Sequence, residues 1–302
     1  MTLLLTRQEV SDLLTIDDCI AAVENAFRLL GRGELPRPAI AGVPAKGGAF
    51  HIKAAIAGDR FAAKMNSNFF NATPRIKGVI VLCDTTEGRV LAVMDSIEIT
   101  ILRTGAATAV AAKYLARENA RTALICGCGN QGRIQTRALQ RVRKLDRIFA
   151  FDSNRDLAAK FAEEMGAEAV PAPVWADIVV TCTPSREPFL ESVQPGTFVA
   201  AVGADSEDKS EIAPKLMVSS KVVTDVTEQC ATIGDLHHAP DAKVYAELAE
   251  VVADKKRGRE RDDEVIIFDS TGMALQDVAA AAIVYERALA AGRGTRFEFG
   301  AF

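Results

Sequence analysis

The chain has 302 residues, of which 49% are hydrophobic and 25% are charged, so it can bury a large core and global disorder is excluded. At roughly 150 residues per domain, this length predicts about two domains. The formal net charge is −4 and the sequence has no long block of Lys or Arg, which argues against a nucleic-acid partner.

Cysteine usage and the N-terminus indicate the compartment. The six cysteines show no C-x-x-C spacing, and each lies in or beside an apolar run, which is typical of reduced, buried thiols. The first residues lack the basic segment of a signal peptide, and no apolar run approaches the roughly 18 residues of a membrane span. We therefore expect a cytoplasmic protein with no membrane partner.

The first part of the chain predicts a helix followed by a mostly antiparallel sheet. Thr15 opens a Thr-x-x-Asp capping pattern, and apolar residues from Ile20 to Leu30 then fall on one helical face. A Pro/Gly-rich stretch, 36–48, separates this helix from four short β-like runs. These runs are Phe50–Ile56, Phe61–Met65, Val79–Cys83 and Val90–Met94. A further helix with a centre of small residues is predicted over 96–117.

From Thr122 onward, strand-like runs alternate with helix-like segments, a pattern typical of parallel βαβ units. A last long helix is predicted over 274–291. The fold class is therefore α/β, with a Rossmann dinucleotide-binding domain over 118–274. Residues 1–117 and 275–302 would form a smaller mixed α+β domain.

The strongest local motif is Gly127-Cys-Gly129-Asn130-Gln131-Gly132, which lies between a predicted strand and a predicted helix. The three glycines would permit a tight turn, a close approach of the pyrophosphate and helix–strand packing, while free N–H groups at the helix start hold phosphate.

The acidic partner of this motif is Asp152, at the end of the next strand, twenty residues after Gly132. Its carboxylate would accept hydrogen bonds from a ribose 2′-hydroxyl and repel a 2′-phosphate, which favours NAD. Arg155 lies close enough to keep NADP as the alternative.

Two polar clusters follow later strands, where ligands of open α/β sheets bind. Thr181 and Thr183 follow the run 178–180 and would line the cofactor. Asp205 follows the run 198–202, where a carboxylate could stand close to hydride chemistry or simply cap a helix.

The segment Leu102-Arg103-Thr104-Gly105-Ala106 resembles the signature of the ornithine cyclodeaminase/mu-crystallin family. Further resemblance lies at Phe61–Lys64, in the glycine run, at Val202–Asp205 with Lys209 and Glu211, and over 270–277, so it covers essentially the whole chain. It implies a homodimer in which the smaller domain binds substrate and forms the interface.

The resemblance also implies roles for individual residues. Arg103 and Arg37 match arginines that bind the substrate carboxylate, and Thr104 matches a threonine that contacts the cofactor. Lys64 matches the active-site lysine, and Asp205 the catalytic aspartate. The chemistry agrees, because a guanidinium binds a carboxylate bidentately and a lysine near other cations can have its pKa lowered towards neutrality.

One position departs from the family pattern. Arg75 occupies the place of a threonine in the substrate loop of cyclodeaminases. The Arg75 guanidinium would bind a second acidic group of the substrate or point to solvent, and it would repel the distal ammonium of ornithine.

Three features stay open or carry no site. His51 lies on a strand and is either structural or part of the pocket. The pair His237–His238 lacks a third ligand at a suitable spacing, so no metal site is predicted. Gln276–Asp277 open the last helix and either cap it or reach the active site.

The sequence thus predicts an NAD(H)-dependent oxidoreductase acting at the Cα–N bond of a small L-amino acid or cyclic imino acid. Lys64 and Asp205 would manage protons. The alternatives are an ornithine cyclodeaminase, which eliminates ammonia with catalytic NAD, and a non-catalytic mu-crystallin-like protein that binds NAD(P)H and a small ligand.

Overall fold

The computed structural model describes residues 1–69 and 71–299, which divide into two compact units. Unit 1 comprises residues 1–103 and 273–302, and unit 2 comprises residues 104–272. The sequence placed the boundaries at 117/118 and 274/275. The first boundary in the structure lies earlier, between residues 103 and 104, inside a long helix. The part of this helix after the boundary packs on unit 2, since a Cβ on Gly105 would lie 3.0 Å from Ile134.

Unit 1 is built on a seven-stranded sheet with the order β15-β1-β6-β5-β4-β3-β2. Its strands are β1 (Thr2–Leu5), β2 (Ala39–Ala45), β3 (Gly48–Ala57), β4 (Arg60–Phe69), β5 (Ile76–Asp84), β6 (Val90–Asp95) and β15 (Thr295–Phe297). Strands β2 to β6 pair antiparallel in chain order, as predicted, whereas β1 pairs parallel with β6.

The helices of unit 1 are α1 (Arg7–Leu13), α2 (Ile16–Arg32), the start of α3 (Ile97–Leu115) and α9 (Ala274–Ala291). Helix α2 begins with the predicted capping box at Thr15 and ends at Gly33 in the left-handed conformation. Helix α9 packs on β3, β4 and β5, so the last helix returns to the N-terminal sheet as expected. Arg287 of α9 also pairs with Asp18, 2.7 Å away.

Strand β2 lies inside the stretch that the sequence treated as a Pro/Gly-rich connection. Every residue of β2 is exposed and the strand forms one edge of its sheet. An edge strand tolerates Pro44, because proline lacks an N–H group and an edge strand has a neighbouring strand to bond on one side only. With neither side buried, β2 lacks the apolar alternation that a sequence pattern can detect.

Unit 2 is a parallel eight-stranded sheet with the order β13-β12-β14-β11-β10-β7-β8-β9. Its strands are β7 (Thr122–Cys126), β8 (Arg147–Phe151), β9 (Glu168–Ala169), β10 (Ile178–Thr181), β11 (Phe198–Ala201), β12 (Lys221–Thr224), β13 (Val244–Glu247) and β14 (Ile266–Asp269). Its helices are the rest of α3, α4 (Asn130–Val142), α5 (Arg155–Met165), α6 (Pro214–Ser219), α7 (Thr227–Ile233) and α8 (Leu248–Val252).

The strand order of unit 2 confirms the predicted Rossmann fold. The chain moves outward from β7 through β8 to β9, then returns to the other side of β7 with β10 and β11. This reversal makes the carboxyl ends of β7 and β10 the switch point, where parallel sheets of this type bind ligands.

Within the described residues, no helix combines the length and the hydropathy that crossing a bilayer requires.

Candidate functional site

The glycine turn after β7 has the conformation that its motif predicts. Gly127 adopts φ +106°, and its N–H donates to the carbonyl oxygen of Phe151 at 2.8 Å. A Cβ on Gly132 would lie 2.1 Å from the carbonyl oxygen of Gly127, so α4 can start against the turn only because this residue is glycine. The first and third glycines are therefore required by the fold itself.

Gly129 differs from the other two glycines. It is the N-cap of α4 with extended backbone, and a Cβ placed on it would meet no atom within 4 Å. The space beside this residue is open, next to the free N–H groups of a thirteen-residue helix. Asn130 and Gln131 form the first turn of that helix, and Gln131 accepts a hydrogen bond from Gln135 at 3.4 Å. The turn therefore fits an incoming pyrophosphate.

Asp152 follows β8, half-buried, and its carboxylate is held by two backbone amides. The N–H of Cys128 donates to Oδ2 and that of Asn154 donates to Oδ1, each at 2.9 Å. Each carboxylate oxygen keeps a further lone pair for a ribose hydroxyl. Arg155, the first residue of α5, is exposed beside it.

The loops after β10 and β11 are joined by one buried carboxylate, Glu211. It accepts hydrogen bonds from the N–H and Oγ1 of Thr183 at 2.6 and 2.7 Å, and from the N–H of Gly203 at 2.9 Å. Burial, together with the nearby Asp235, raises the pKa of Glu211 to about 7. Thr181 is fully buried at the end of β10. The sequence found Glu211 only as part of the resemblance, without a role.

Asp205 and Thr104, two further predicted residues, also belong to unit 2. Asp205 lies in the exposed loop after β11, with its Oδ1 2.5 Å from the ammonium of Lys209. Thr104 is half-buried and directly follows the boundary inside α3.

Unit 1 contains a buried cluster of charged residues around Asp277. The ammonium of Lys64 on β4 lies 2.7 Å from Asp277 Oδ2 and 2.8 Å from Oδ1. Arg103 on α3 donates from Nε to Asp277 Oδ1 at 3.2 Å, and from Nη1 to Gln276 Oε1 at 3.0 Å. All four side chains are more than nine-tenths buried. The structure thus brings together Lys64 and Arg103, two of the predicted site residues.

Burial and neighbouring charges perturb both partners of this ion pair. Burial, and then the positive charge of Arg103, lowers the pKa of Lys64 to about 7, although Asp277 acts to raise it. Burial alone would raise the pKa of Asp277, but the charges of Lys64 and Arg103 outweigh it and hold that pKa below its ordinary value. At neutral pH the pair therefore combines an ionised carboxylate with a lysine that can readily gain or lose a proton.

The other two predicted substrate residues have more open surroundings. Arg37 is exposed just before β2. Arg75 is exposed in the turn before β5, where its Nε donates to Asn68 Oδ1 at 2.8 Å. Of the two readings given to Gln276–Asp277, the structure favours contact with site residues over capping, since α9 has no side-chain cap.

The family model of ornithine cyclodeaminase/mu-crystallin proteins matches residues 1–292. The chain belongs to the ornithine cyclodeaminase/mu-crystallin family. Among curated relatives, alanine dehydrogenase of Archaeoglobus fulgidus is 38% identical, over 99% of this chain and 98% of its own.

Solved structures of the family also superpose closely. An archaeal alanine dehydrogenase dimer with bound NAD gives a TM-score of 0.94 at 36% identity, covering 99% of each chain. The Thermococcus litoralis Δ1-pyrroline-2-carboxylate reductase, in complex with NADH and L-proline, gives 0.92 at 33% identity, covering 98% of this chain and 100% of its own. The family resemblance and the fold expected from the sequence are therefore confirmed.

Gly129 offers a direct test of the dinucleotide turn. We expect Gly129→Ala to keep the fold, because its Cβ enters open space, and to weaken NADH binding by about tenfold or more, since the methyl group occupies the approach of the phosphates. Fluorescence titration with NADH and a thermal unfolding curve measure the two effects.

Gly132→Ala is the matched control, because its Cβ would collide with the turn and should lower both stability and NADH affinity. Undiminished NADH affinity in Gly129→Ala would contradict a dinucleotide at this turn.

Asp277→Asn tests the electrostatics of the unit 1 cluster. Because Asp277 raises the pKa of Lys64, its neutralisation should lower that pKa below about 7. If neutral Lys64 is the base for amino-acid oxidation, the acid limb of kcat/KM should move to lower pH by about one unit. The wild-type profile, with its limb near pH 7, is the reference. A limb that stays in place or moves to higher pH would show that Lys64 is not the titrating group.

Proposed function

We propose that the chain is an NAD(H)-dependent oxidoreductase that acts at the Cα–N bond of a small L-amino acid or cyclic imino acid. The observation that carries this function is the buried cluster in unit 1, where a lysine of near-neutral pKa and an arginine share Asp277. Named relatives include Δ1-pyrroline-2-carboxylate reductases and the iminosuccinate reductase of Paracoccus denitrificans, besides alanine dehydrogenase. The chain is therefore an enzyme of the alanine dehydrogenase or ketimine reductase type.

Arg103 would bind the substrate carboxylate. Its Nε and one Nη already donate to Asp277 and Gln276, which fixes the plane of the guanidinium. A guanidinium carries five N–H donors, so donors remain for a carboxylate, and the charge persists at every working pH. Arg37 is proposed as the second carboxylate-binding residue.

Lys64 would manage the proton on the substrate nitrogen or on the attacking water. In the oxidative direction, neutral Lys64 takes a proton from the substrate ammonium or from the water that hydrolyses the imine. In the reductive direction, protonated Lys64 keeps the imine nitrogen charged. Asp277 holds the lysine in place through both steps. Asp205 is proposed as a second proton-handling group.

The cofactor is NAD(H), which supplies the hydride acceptor or donor when bound. Family structures contain NAD, NADH or NAD+. The residues proposed to hold it are Gly127, Gly129, Asn130, Gln131, Gly132, Asp152, Thr181, Thr183 and Thr104. Asp152 favours NAD over NADP because its carboxylate would repel a 2′-phosphate.

The decisive experiment is a panel of L-amino acids with NAD, and of pyruvate with ammonia and cyclic imines with NADH, scored for both NADH and ammonia. We expect one NADH for each imine formed or consumed. Ammonia released from a diamino acid without net NADH would instead assign the cyclodeaminase reaction. NADH binding without turnover of any compound would assign the non-catalytic alternative.

Lys64→Met separates chemistry from binding in this assay. Removal of the Lys64 ammonium should lower kcat by about a hundredfold or more, while NADH affinity stays within about twofold of wild type. Lys46→Met, which removes an exposed lysine from the hairpin between β2 and β3, should leave both values unchanged. Full turnover in Lys64→Met would remove Lys64 from the mechanism.

We further propose a homodimer that uses the outer face of the unit 1 sheet. Val43, Ile52, Ile56 and Met65 lie on the face opposite Lys64 and are 38–50% exposed. Ile52 and Met65 are direct cross-strand neighbours. Apolar groups this close together on an open sheet are typical of a surface that another molecule covers. The archaeal relative with 36% identity is described as a dimer.

A charge on this face should prevent dimer formation. We expect Met65→Asp to elute as a monomer in size-exclusion chromatography with light scattering, where wild type elutes as a dimer, since a buried unpaired carboxylate costs several kcal/mol. Leu157→Asp, at an exposed apolar position of unit 2, should remain dimeric. A Met65→Asp dimer would place the interface elsewhere.

Finally, we propose that the enzyme works in the cytoplasm. All six cysteines are free, and burial raises the pKa of Cys126 and Cys230 well above the ordinary thiol value. Such thiols stay protonated and unreactive, as expected where no disulfide framework is needed.

A further inference from the structure

A second buried lysine, Lys53, lies on the same face of the unit 1 sheet as Lys64. The two are direct partners in the antiparallel register of β3 and β4. Side chains opposite each other in such a pair point to one face of the sheet, with Cβ atoms about 5 Å apart. The same face carries the buried residues Ala55, Ala62 and Ile80. Lys53 itself is only 9% exposed.

The charge of Lys53 acts on the cluster around Asp277. Lys53 is close enough to lower the pKa of both Lys64 and Asp277 by its charge. The Asp277 carboxylate therefore lies among three cations, namely Lys64, Lys53 and Arg103. Such a cluster favours anionic ligands.

We propose that Lys53 binds a second acid group of the substrate, so that this enzyme prefers an amino dicarboxylic acid or the matching imino dicarboxylic acid. This inference rests on the proposed function. The α-carboxylate would bind Arg103, and the distal carboxylate would bind Lys53. Aspartate and glutamate are the four- and five-carbon amino acids of this class.

Lys53 would disfavour diamino acids for the same reason that it would favour diacids. A diamino acid such as ornithine would bring its distal ammonium to the position assigned to the distal carboxylate, next to the ammonium of Lys53. Like-charge contact in a buried site is strongly unfavourable, so it discriminates against diamino acids without any change in the residues that perform chemistry.

Lys53→Met is the test variant, because methionine keeps an unbranched side chain and removes the charge. We expect kcat/KM for L-aspartate or L-glutamate, relative to L-alanine, to fall by about thirtyfold or more, mainly through KM. Lys53→Arg should restore part of the preference for the diacid. Lys46→Met, which removes a charge from the neighbouring hairpin, should leave the ratio unchanged.

A binding measurement makes the result independent of turnover. Calorimetry of the wild-type enzyme saturated with NADH should show succinate binding about tenfold or more tightly than propionate, and Lys53→Met should lose this difference. Equal binding of the two acids by wild type, or an unchanged substrate ratio in a folded Lys53→Met, would overturn the role of Lys53. A wild type that oxidises alanine but neither diacid would overturn it too. In each of those cases the proposed oxidoreductase function would still stand, whereas absence of turnover for every amino and imino acid would defeat the function itself.

Discussion

Lys64, Asp277 and Arg103 form an ion triad that two sequence-distant segments build together. Asp277 comes from the last helix, while the two cations come from β4 and α3. Burying three charges is costly unless each is paired and hydrogen-bonded, and here one carboxylate serves both cations. With two cations on one carboxylate, the cluster suits the additional negative charge that the proposed substrate carboxylate would supply. The rest of unit 1 serves to hold this arrangement: the sheet carries the lysine, and α9 covers the sheet.

Unit 2 depends on its glycine turn and on one buried carboxyl group. Its cofactor turn consists almost entirely of backbone, so the glycines determine what can approach it. Glu211 then links the loops after two adjacent strands by accepting three hydrogen bonds. A carboxyl group that accepts several hydrogen bonds is held firmly in place, which gives loops at the edge of a sheet a defined shape. A neutral side chain with a single acceptor oxygen could not bond all three donors at once.

Much of this could be predicted from the sequence, for identifiable reasons. The strand–glycine–helix pattern at 127–132 and the capping box at Thr15 are local signals, which can be recognised in a sequence without knowledge of the fold. The edge strand β2 was missed because an exposed strand with proline and glycine has no buried periodicity. Asp277 was left undecided because its role arises from the return of a helix 213 residues after Lys64. Lys53 was overlooked because its meaning depends on cross-strand register, which a single sequence does not reveal.

The boundary between Arg103 and Thr104 lies in the middle of α3, and the second boundary precedes α9. The nucleotide-binding segment is therefore an insertion whose upstream junction is a helix rather than a linker. Genetic recombination between relatives at this junction would join half-helices of different ancestry, and their hydrogen-bonded turns and small packing residues would have to match. Exchange of whole domains, a common route to new specificity in modular enzymes, is thereby obstructed. Diversification in such an architecture is expected to proceed through point substitutions on the unit 1 strands around Lys64.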